Sequence, residues 1–217
     1  MIHTVFIVAI TSFLLGSIPF GYLLVRVFRG EDVRKTGSGN IGATNVGRTG
    51  SKGLAIATLL LDALKGYVAV AHAFIAAAHA AHQLQDSATS GISVDQLGFQ
   101  LAALAAVCAI LGHSFTPWLR FKGGKGVATA VGAFAAIAPR AVLVSLAVFI
   151  VLVAITRYVS LGSIVGSAAF PLAAYWLYPI MRNTIVMSLV GLCSLLIILR
   201  HQANIRRIVA GNENRLW

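Results

Sequence analysis

Charged residues are scarce in this chain, and acidic residues are the scarcest of them. Charged side chains occupy 11% of the 217 positions, with only six Asp and Glu against 17 Lys and Arg. Soluble globular domains carry about a quarter charged residues, so the composition excludes that class. The net charge of +11 would by itself be compatible with nucleic-acid binding. However, the charges lie in short segments between apolar runs, where membrane orientation and lipid headgroups explain them. We therefore expect no nucleic-acid partner.

Cysteine and metal-ligand patterns are almost absent as well. Cys108 and Cys193 each lie inside an apolar run, and no C-x-x-C pair exists, which argues against a zinc or redox site. His72, His79 and His82 have the spacing of metal ligands, but no carboxylate or cysteine accompanies them at helical spacing. We expect neither a metal nor another cofactor.

Long apolar runs fill most of the chain. A helix needs roughly 20 apolar residues to cross ~30 Å of hydrocarbon. The first run lacks a charged n-region and an A-x-A cleavage site, so we interpret it as a retained span and not as a signal peptide. The pattern predicts an all-α, polytopic integral membrane protein with one membrane-embedded domain over residues 1–217. The runs are Ile2–Val25, Leu54–Ala81, Leu97–Leu111, Val127–Ile155, Leu161–Leu177 and Thr184–Leu199.

The run Val127–Ile155 is longer than one span requires. At ~1.5 Å per residue it would form a helix of roughly 43 Å. Pro139 and Arg140 fall near its middle, where proline breaks the hydrogen-bond ladder and arginine prefers water. We therefore predict two short segments, 127–138 and 141–156, and seven transmembrane helices in total. If the run were one span or a re-entrant hairpin, the count would change and the C-terminal segment would move to the other side.

Positive charge predicts the orientation of these helices. Seven crossings place the termini on opposite sides, and an outside N-terminus leaves only Arg140 and Arg182 in the outer segments. The outer connection 80–97 then contains no Lys or Arg at all. By the positive-inside rule, we expect the N-terminus outside and the C-terminus in the cytoplasm.

Three polar segments would then share the cytoplasmic side. The first, which we call the glycine–asparagine loop, runs from Gly37 to Arg48 and interleaves glycine with Ser38, Asn40, Thr44 and Asn45. Glycine lets backbone N–H groups surround an oxyanion, hydroxyl and amide side chains add hydrogen bonds, and arginine binds phosphate bidentately. The same residue types also make ordinary turns and helix caps. We interpret the loop as a phosphate-binding element.

The second segment, the glycine–lysine loop, is Phe121-Lys122-Gly123-Gly124-Lys125-Gly126 and leads directly into an apolar helix. Such a loop places free N–H groups and the positive end of a helix dipole against an anion, with Lys125 as a point charge. Its spacing is not that of a Walker A loop. The alternative interpretation is a basic loop that only sets membrane orientation.

The third segment, the C-terminal basic segment, runs from Arg200 to Arg207. His201 and Asn204 would share one face if the last span continued through them. An interfacial histidine can donate to phosphate or accept a proton near neutral pH, or simply bind water. Asp62 and Lys65, three residues apart inside the second span, are costly in lipid and must pair or face a cavity.

These residues together resemble the bacterial membrane glycerol-3-phosphate acyltransferase family that uses acyl phosphate as donor. The resemblance covers nearly the whole chain in the family's order. In the family a proline directly follows the phenylalanine of G-H-x-F-P, whereas here Thr116 intervenes before Pro117, which changes the local bend next to His113. The matching stretches are Gly16–Pro19, Asp32–Arg34, Ser38–Asn45 with Arg48, Leu61–Gly66, Gly112–His113 with Phe121–Thr129, and His201, Asn204–Ile205, Arg207 and Gly211–Glu213.

The resemblance implies transfer of a fatty acyl group from a long-chain acyl phosphate to the 1-hydroxyl of sn-glycerol 3-phosphate, in the bacterial cytoplasmic (inner) membrane. The products would be lysophosphatidate and phosphate, with membrane lipid as the surroundings. It implies a catalytic and substrate-binding set of Ser38, Arg48, Lys125, His201 and Asn204. The expected phosphate-binding residues are Gly37, Gly39, Asn40, Gly42, Thr44, Asn45, Lys122, Gly123, Gly124 and Gly126, and Asp62, Lys65 and His113 are expected to line the site.

The residues also allow another class, a transporter or channel for phosphorylated metabolites with a basic inner vestibule. Transporters of this kind are usually built from repeats with broken helices at the midplane, and the chain shows no convincing internal repeat. The His-x4-Asp pair of soluble acyltransferases is missing, since Trp118 and Arg206 stand five residues after His113 and His201. No Ser-His-Asp or Cys-His arrangement presents itself either. An acyl phosphate is already activated, so the predicted chemistry does not require a protein nucleophile.

Overall fold

Helices make up almost all of the structure. The computed structural model describes residues 1–85 and 93–216, and within these ranges it contains helices and turns and no strand. The helices are α1 (Ile2–Ser17), α2 (Phe20–Arg29), α3 (Ala43–Gly47), α4 (Lys52–Gln85), α5 (Val94–Ser114), α6 (Val127–Ile137), α7 (Pro139–Thr156), α8 (Val159–Leu177), α9 (Thr184–Arg200) and α10 (Gln202–Val209). Short 3-10 turns occupy Val33–Lys35, Pro117–Leu119 and Pro179–Arg182.

The lengths of these helices confirm a polytopic membrane protein. Five segments of the described chain are long and apolar enough to cross a bilayer, with α1 and α2 counted together, and α9 with α10 would make a sixth if that bent pair is one span. The apolar α6 has 11 residues and is shorter than the others. The predicted count of seven spans and the orientation of the termini stay predictions.

The predicted division of the Val127–Ile155 run is confirmed. Helices α6 and α7 meet at Ala138, whose backbone lies outside the helical region at φ −146° and ψ 67°. Pro139 is the first residue of α7, where its missing N–H would have no partner in any case. The second helix therefore begins at Pro139 and not at the predicted residue 141.

Two further breaks were not predicted. The first apolar run is interrupted at Ile18 and Pro19, which separate α1 from α2. The last helix is interrupted at His201, where α9 and α10 meet at an angle of 56°. Both breaks contribute to the functional site described below.

Helix α5 forms the centre of the bundle. Its buried alanines, among them Ala102, Ala103, Ala105 and Ala106, are fully enclosed and belong to the main apolar cluster. Small side chains let neighbouring helices approach closely, which drives helix packing in lipid. Many larger apolar side chains on the outer helices are exposed, as expected for a surface that faces hydrocarbon. Because α5 is central, the segment that follows it, which contains the glycine–lysine loop, lies at one end of the bundle.

Candidate functional site

All three polar segments meet at an open cleft of about 460 Å³. The cleft lies between the entry to the glycine–asparagine loop, the glycine–lysine loop and the end of α9. Of the residues predicted for the site, Gly39, Lys122 and Gly123 line it directly. Asp32, Arg34, Phe121 and Arg200 also line it but were not among the predicted site residues.

Positive charge from the three segments gathers around Lys125. Burial lowers the pKa of Lys125 to about 8; Glu213 opposes this effect, while Arg207, Arg48 and Arg200 reinforce it. Hence Arg48 from the first segment and Arg200 and Arg207 from the third lie within electrostatic range of Lys125 in the second. Among the described residues, no ion pair within 4.0 Å includes Arg48, Lys122, Lys125 or Arg200. Their charge is therefore available to an anion.

The glycine–asparagine loop is held by one buried side chain, that of Asn45. Its Oδ1 accepts the N–H of Ser38 at 2.8 Å. The two N–H groups of its Nδ2 are shared among three carbonyls, those of Val33 and Thr36 at 3.0 Å each and that of Asn40 at 2.8 Å. Asn45 is 2% exposed, so both of its polar atoms are used inside the protein. The phosphate contact predicted for Asn45 is thus replaced by a role in shaping the loop.

The other predicted residues of this loop lie closer to solvent. Ser38, Thr44 and Arg48 are exposed, and Gly37 and Gly39 adopt positive φ angles of 57° and 70°. A side chain at Gly37 would also collide with Oδ1 of Asn45. Asn40 is half-buried, and its Oδ1 accepts the N–H of Gly42 at 2.9 Å.

Arg34 enters the cleft as part of a closed ion pair. Its Nε and one terminal nitrogen donate to the two carboxylate oxygens of Asp32 at 2.9 and 2.7 Å, and its guanidinium lies 5.0 Å from the ring centre of Tyr22. Hydrogen bonding from Arg34 lowers the pKa of Asp32 to about 2. Arg34 therefore forms part of the wall of the cleft, and the carboxylate of Asp32 largely balances its charge.

The glycine–lysine loop folds back onto the end of α5. The N–H groups of Gly123 and Gly124 donate to the carbonyls of Ser114 and His113 at 3.2 and 3.0 Å. Arg200 donates to the carbonyls of Gly124 and Gly123 at 3.2 and 3.4 Å. The expectation of free N–H groups at Gly123 and Gly124 is therefore wrong, because the protein already uses them. The first turn of α6, after the buried Gly126 at its N-terminus, keeps the unpaired N–H groups that every helix start has.

His201 lies at the break between α9 and α10 and is 2% exposed. Its Nδ1 lies 2.8 Å from the carbonyl of Ile197. A carbonyl only accepts, so Nδ1 carries the proton and Nε2 keeps a free lone pair. The charged groups that act on His201 include Lys125, Glu213 and Arg200, so His201 lies near the positive charges that surround Lys125.

Asn204 is held by Glu213, a residue missing from the predicted site. Its Nδ2 donates to Oε1 of Glu213 at 2.6 Å, Ser160 donates to the same oxygen at 2.7 Å, and Arg207 donates to Oε2 at 2.7 Å. Burial raises the pKa of Glu213, but these three hydrogen bonds outweigh it and hold the pKa below its usual value. The condition for a common face of His201 and Asn204, one helix continuing through both residues, is not met, because the helix bends at His201.

Asp62, Lys65 and His113 form a buried cluster beneath the glycine–lysine loop. They are between 2% and 4% exposed and do not line this cleft, so their expected place in the site stays a prediction. The N–H of Gly124 nevertheless reaches the backbone carbonyl of His113. The described residues contain no group of three or more His, Cys, Asp or Glu side chains placed to hold a metal ion.

A sequence profile described as glycerol-3-phosphate acyltransferase matches residues 6–211. This chain belongs to the glycerol-3-phosphate acyltransferase family. It is 44% identical over 211 residues to the glycerol-3-phosphate acyltransferase of Geobacter sulfurreducens, covering 96% of both chains. It is 42% identical over 205 residues to the enzyme of that name from Rhizobium meliloti, covering 94% of this chain and 89% of the relative.

A member of the family with a crystal structure has the same fold. The structure of PlsY (YgiH), an integral membrane glycerol 3-phosphate acyltransferase, in its glycerol 3-phosphate form superposes with a TM-score of 0.82 at 32% identity. The match covers 98% of this chain and 96% of that one. The lysophosphatidic acid form of PlsY superposes with a TM-score of 0.79.

We predict that Asn45→Ala loosens the glycine–asparagine loop. The change leaves the Ser38 N–H and three carbonyls without their partner, and an unsatisfied buried group costs about 1–3 kcal/mol. Thermal unfolding in detergent should shift downwards, and protease cleavage within residues 37–42 should become faster. Thr49→Ala, which removes a single hydroxyl bond to the Val46 carbonyl, is the matched control and should have a smaller effect. Unchanged cleavage in Asn45→Ala would show that the side chain does not hold the loop.

Proposed function

We propose that this protein transfers a fatty acyl group from acyl phosphate to the 1-hydroxyl of sn-glycerol 3-phosphate, producing lysophosphatidate and inorganic phosphate. The observation that carries the proposal is a concentration of positive charge: Lys122 and Arg200 line one cleft, and Arg48, Arg200 and Arg207 lie within electrostatic range of Lys125 in the loop beside it. Among the described residues, no ion pair includes Arg48, Lys122, Lys125 or Arg200. Two phosphorylated substrates need such a concentration of positive charge. The names of the relatives, and the two ligand forms of PlsY, support the acceptor and the product.

Acyl phosphate suits this site as donor because phosphate is a good leaving group. The acceptor oxygen attacks the acyl carbon, a carbon–oxygen bond forms, and the bond from that carbon to the phosphate oxygen breaks with its electron pair leaving on phosphate. The protein must then align the substrates and stabilise negative charge. We assign Arg48, Lys125 and the first turn of α6 to the phosphates, with Ser38 and Thr44 as exposed hydroxyl donors.

The acceptor hydroxyl must also lose a proton. His201 has a free lone pair on Nε2, but protonation there would add positive charge beside Lys125 and Arg200. A phosphate oxygen of the bound substrate is negatively charged, so a proton placed on it would not add positive charge beside Lys125 and Arg200. We therefore assign the proton to substrate phosphate and a binding role to His201, with Asn204 fixed behind it by Glu213.

The same proposal places the cleft on the cytoplasmic side of the bacterial inner membrane. The three segments that form it contain six of the 17 Lys and Arg of the chain, and the positive-inside rule assigns such basic segments to the cytoplasm. Both substrates would reach it there, one from water and one from lipid. We regard residues 1–217 as a single membrane-embedded domain.

The donor is tested by direct assay. Purified protein is supplied with glycerol 3-phosphate and either palmitoyl phosphate or palmitoyl-CoA, and phosphate release and lysophosphatidate are measured. We expect product from palmitoyl phosphate only. Lys125→Ala should lower kcat/KM strongly, whereas Lys52→Ala, which removes an exposed lysine at the start of α4, should not. Product from palmitoyl-CoA alone, or from neither donor with folded protein, would contradict the proposal.

We predict that activity falls as pH rises through the pKa of Lys125, about 8. The lysine is charged below this pH and neutral above it, while a phosphate monoester stays dianionic above its second pKa of about 6. The value of kcat/KM for glycerol 3-phosphate should fall about tenfold from pH 7 to pH 9, since it reports ionisation of the free enzyme. Lys125→Arg keeps its charge and should remove this step. The same fall in Lys125→Arg would assign the titration to another group.

We predict that His201→Gln keeps kcat within about tenfold of wild type, because we assign His201 a binding role. Loss of a general base would instead lower kcat by about 10²–10⁴-fold. Glutamine retains a hydrogen-bonding end, whereas His201→Ala does not and should be more strongly impaired. Steady-state kinetics with thermal unfolding as the folding control would test this. A loss of a hundredfold or more in well-folded His201→Gln would identify His201 as the base.

A further inference from the structure

A buried charged cluster lies directly under the glycine–lysine loop, although it does not reach the cleft. Nζ of Lys65 lies 2.7 Å from Oδ1 of Asp62, 2.7 Å from the carbonyl oxygen of Ile18 and 3.0 Å from Nδ1 of His113. An ammonium group has three donors and no acceptor: here it donates hydrogen bonds to Ile18 and His113 and forms an ion pair with Asp62, whose Oδ1 accepts no well-aligned hydrogen bond from the described residues. Because Lys65 donates to it, Nδ1 of His113 is an acceptor, and the ring proton lies on Nε2.

Such a cluster is an expensive way to hold helices together. A buried ion pair loses hydration that its mutual attraction often does not recover, and apolar side chains of similar volume stabilise as well or better. Within membrane spans, charged residues are rare and usually have a functional reason. The residues around the cluster are therefore informative.

The cluster connects the helix break at Ile18 to the loop that carries Lys125. The imidazole of His113 lies against the backbone of Gly124, where a Cβ atom would collide with Nε2, Cε1 and Cδ2. The carbonyl of the same histidine accepts the N–H of Gly124 at 3.0 Å. Both the ring and the main chain of His113 thus fix the glycine–lysine loop from below, while Arg200 fixes its carbonyls from the side.

We propose that Asp62, Lys65 and His113 are positioning residues for acyl transfer. Asp62 and Lys65 hold the ring of His113 in one orientation, and this ring fixes the position of the loop that presents Lys125 to the substrate phosphates. This inference rests on the proposed function. Misplacement of a binding group by about 1 Å can cost on the order of a hundredfold in rate. A locked ring explains why glycine stands at position 124, and why the charges are retained in the bundle interior.

The test separates positioning from mere stability. His113→Asn keeps an acceptor where Nδ1 stood, so Lys65 remains paired, but it removes the ring edge beneath Gly124. Gly124→Ala leaves the cluster intact and forces the loop off the ring. A paired change, Asp62→Asn with Lys65→Gln, removes both charges together so that neither is left alone. The matched control is Thr58→Val, a buried residue of α4 whose hydroxyl donates only within its own helix, to Leu54.

Each variant is measured for kcat/KM per folded molecule and for hydrogen exchange of peptides that cover residues 119–127. We expect His113→Asn, Gly124→Ala and the paired variant to lose at least tenfold in kcat/KM for glycerol 3-phosphate. Exchange should rise at Gly123 and Gly124, while α9 stays protected. His113→Asn and Gly124→Ala together should lose no more than the worse single change, since both act through one contact. Thr58→Val should change neither readout.

Three results would overturn the inference: kcat/KM of Gly124→Ala within twofold of wild type, loop exchange unchanged in folded His113→Asn or in the paired variant, or additive losses in the double variant. Gly124→Ala lies in the loop and keeps the buried cluster, so it remains decisive if a cluster variant does not fold. An inactive wild type would count against the proposed function instead, and the exchange experiment would still decide whether the cluster holds the loop.

Discussion

The constraint on which the structure depends is that a bilayer offers no hydrogen bonds. Helices satisfy their own backbone groups, but every irregular segment that approaches the bundle must find partners within the protein. In this chain the buried side chain of Asn45 satisfies backbone groups of the first loop, and Arg200 together with the end of α5 satisfies those of the second. In the third segment, Glu213 holds the side chains of Asn204 and Arg207. The residues that satisfy the backbone therefore also fix the shape of the cleft.

Charge is distributed under the same constraint. The chain has six acidic residues, and four of them, Glu31, Asp32, Asp62 and Glu213, pair with a neighbouring arginine or lysine. These pairs are all local along the chain, and among the described residues they leave Arg48, Lys122 and Lys125 without a carboxylate partner within 4.0 Å. Under the proposed function, the phosphates of the substrates would compensate this excess of positive charge. The scarcity of acidic residues is thus part of the design of the site.

Prediction from sequence succeeded where one physical rule dominated. Hydrophobic run length predicted the membrane helices, and Pro139 predicted the division of the long run, which the structure places at Ala138. The break at Pro19 was missed because the apolar run continues through it without a charged residue. The bend at His201 was missed because residues 200–207 are compatible with a continuous helix, and only contacts with the glycine–lysine loop and Glu213 favour the bend.

The same division applies to the site. Residue type and spacing identified the three segments, and among them the charged residues around Lys125. They did not separate residues that face the cleft from residues that hold it. Asn45, Gly123 and Gly124 were assigned to substrate, yet the structure shows hydrogen bonds within the protein for both amide atoms of Asn45 and for the N–H and carbonyl groups of the two glycines; Nδ2 of Asn204 is likewise bound to Glu213. Arg200 opened the third segment and Glu213 ended the last matching stretch, but nothing local indicated that one would clamp the loop and the other would hold Asn204.

By itself, then, the sequence determined that the protein is helical, that it lies in a membrane and that it collects glycine and positive charge in three polar segments, because these properties follow from composition and from spacing along the chain. Only the tertiary structure decided which of these groups remain free to meet a ligand. That choice depends on hydrogen bonds between residues as far apart as Lys65 and His113 or Gly124 and Arg200, and local sequence carries no record of such pairings.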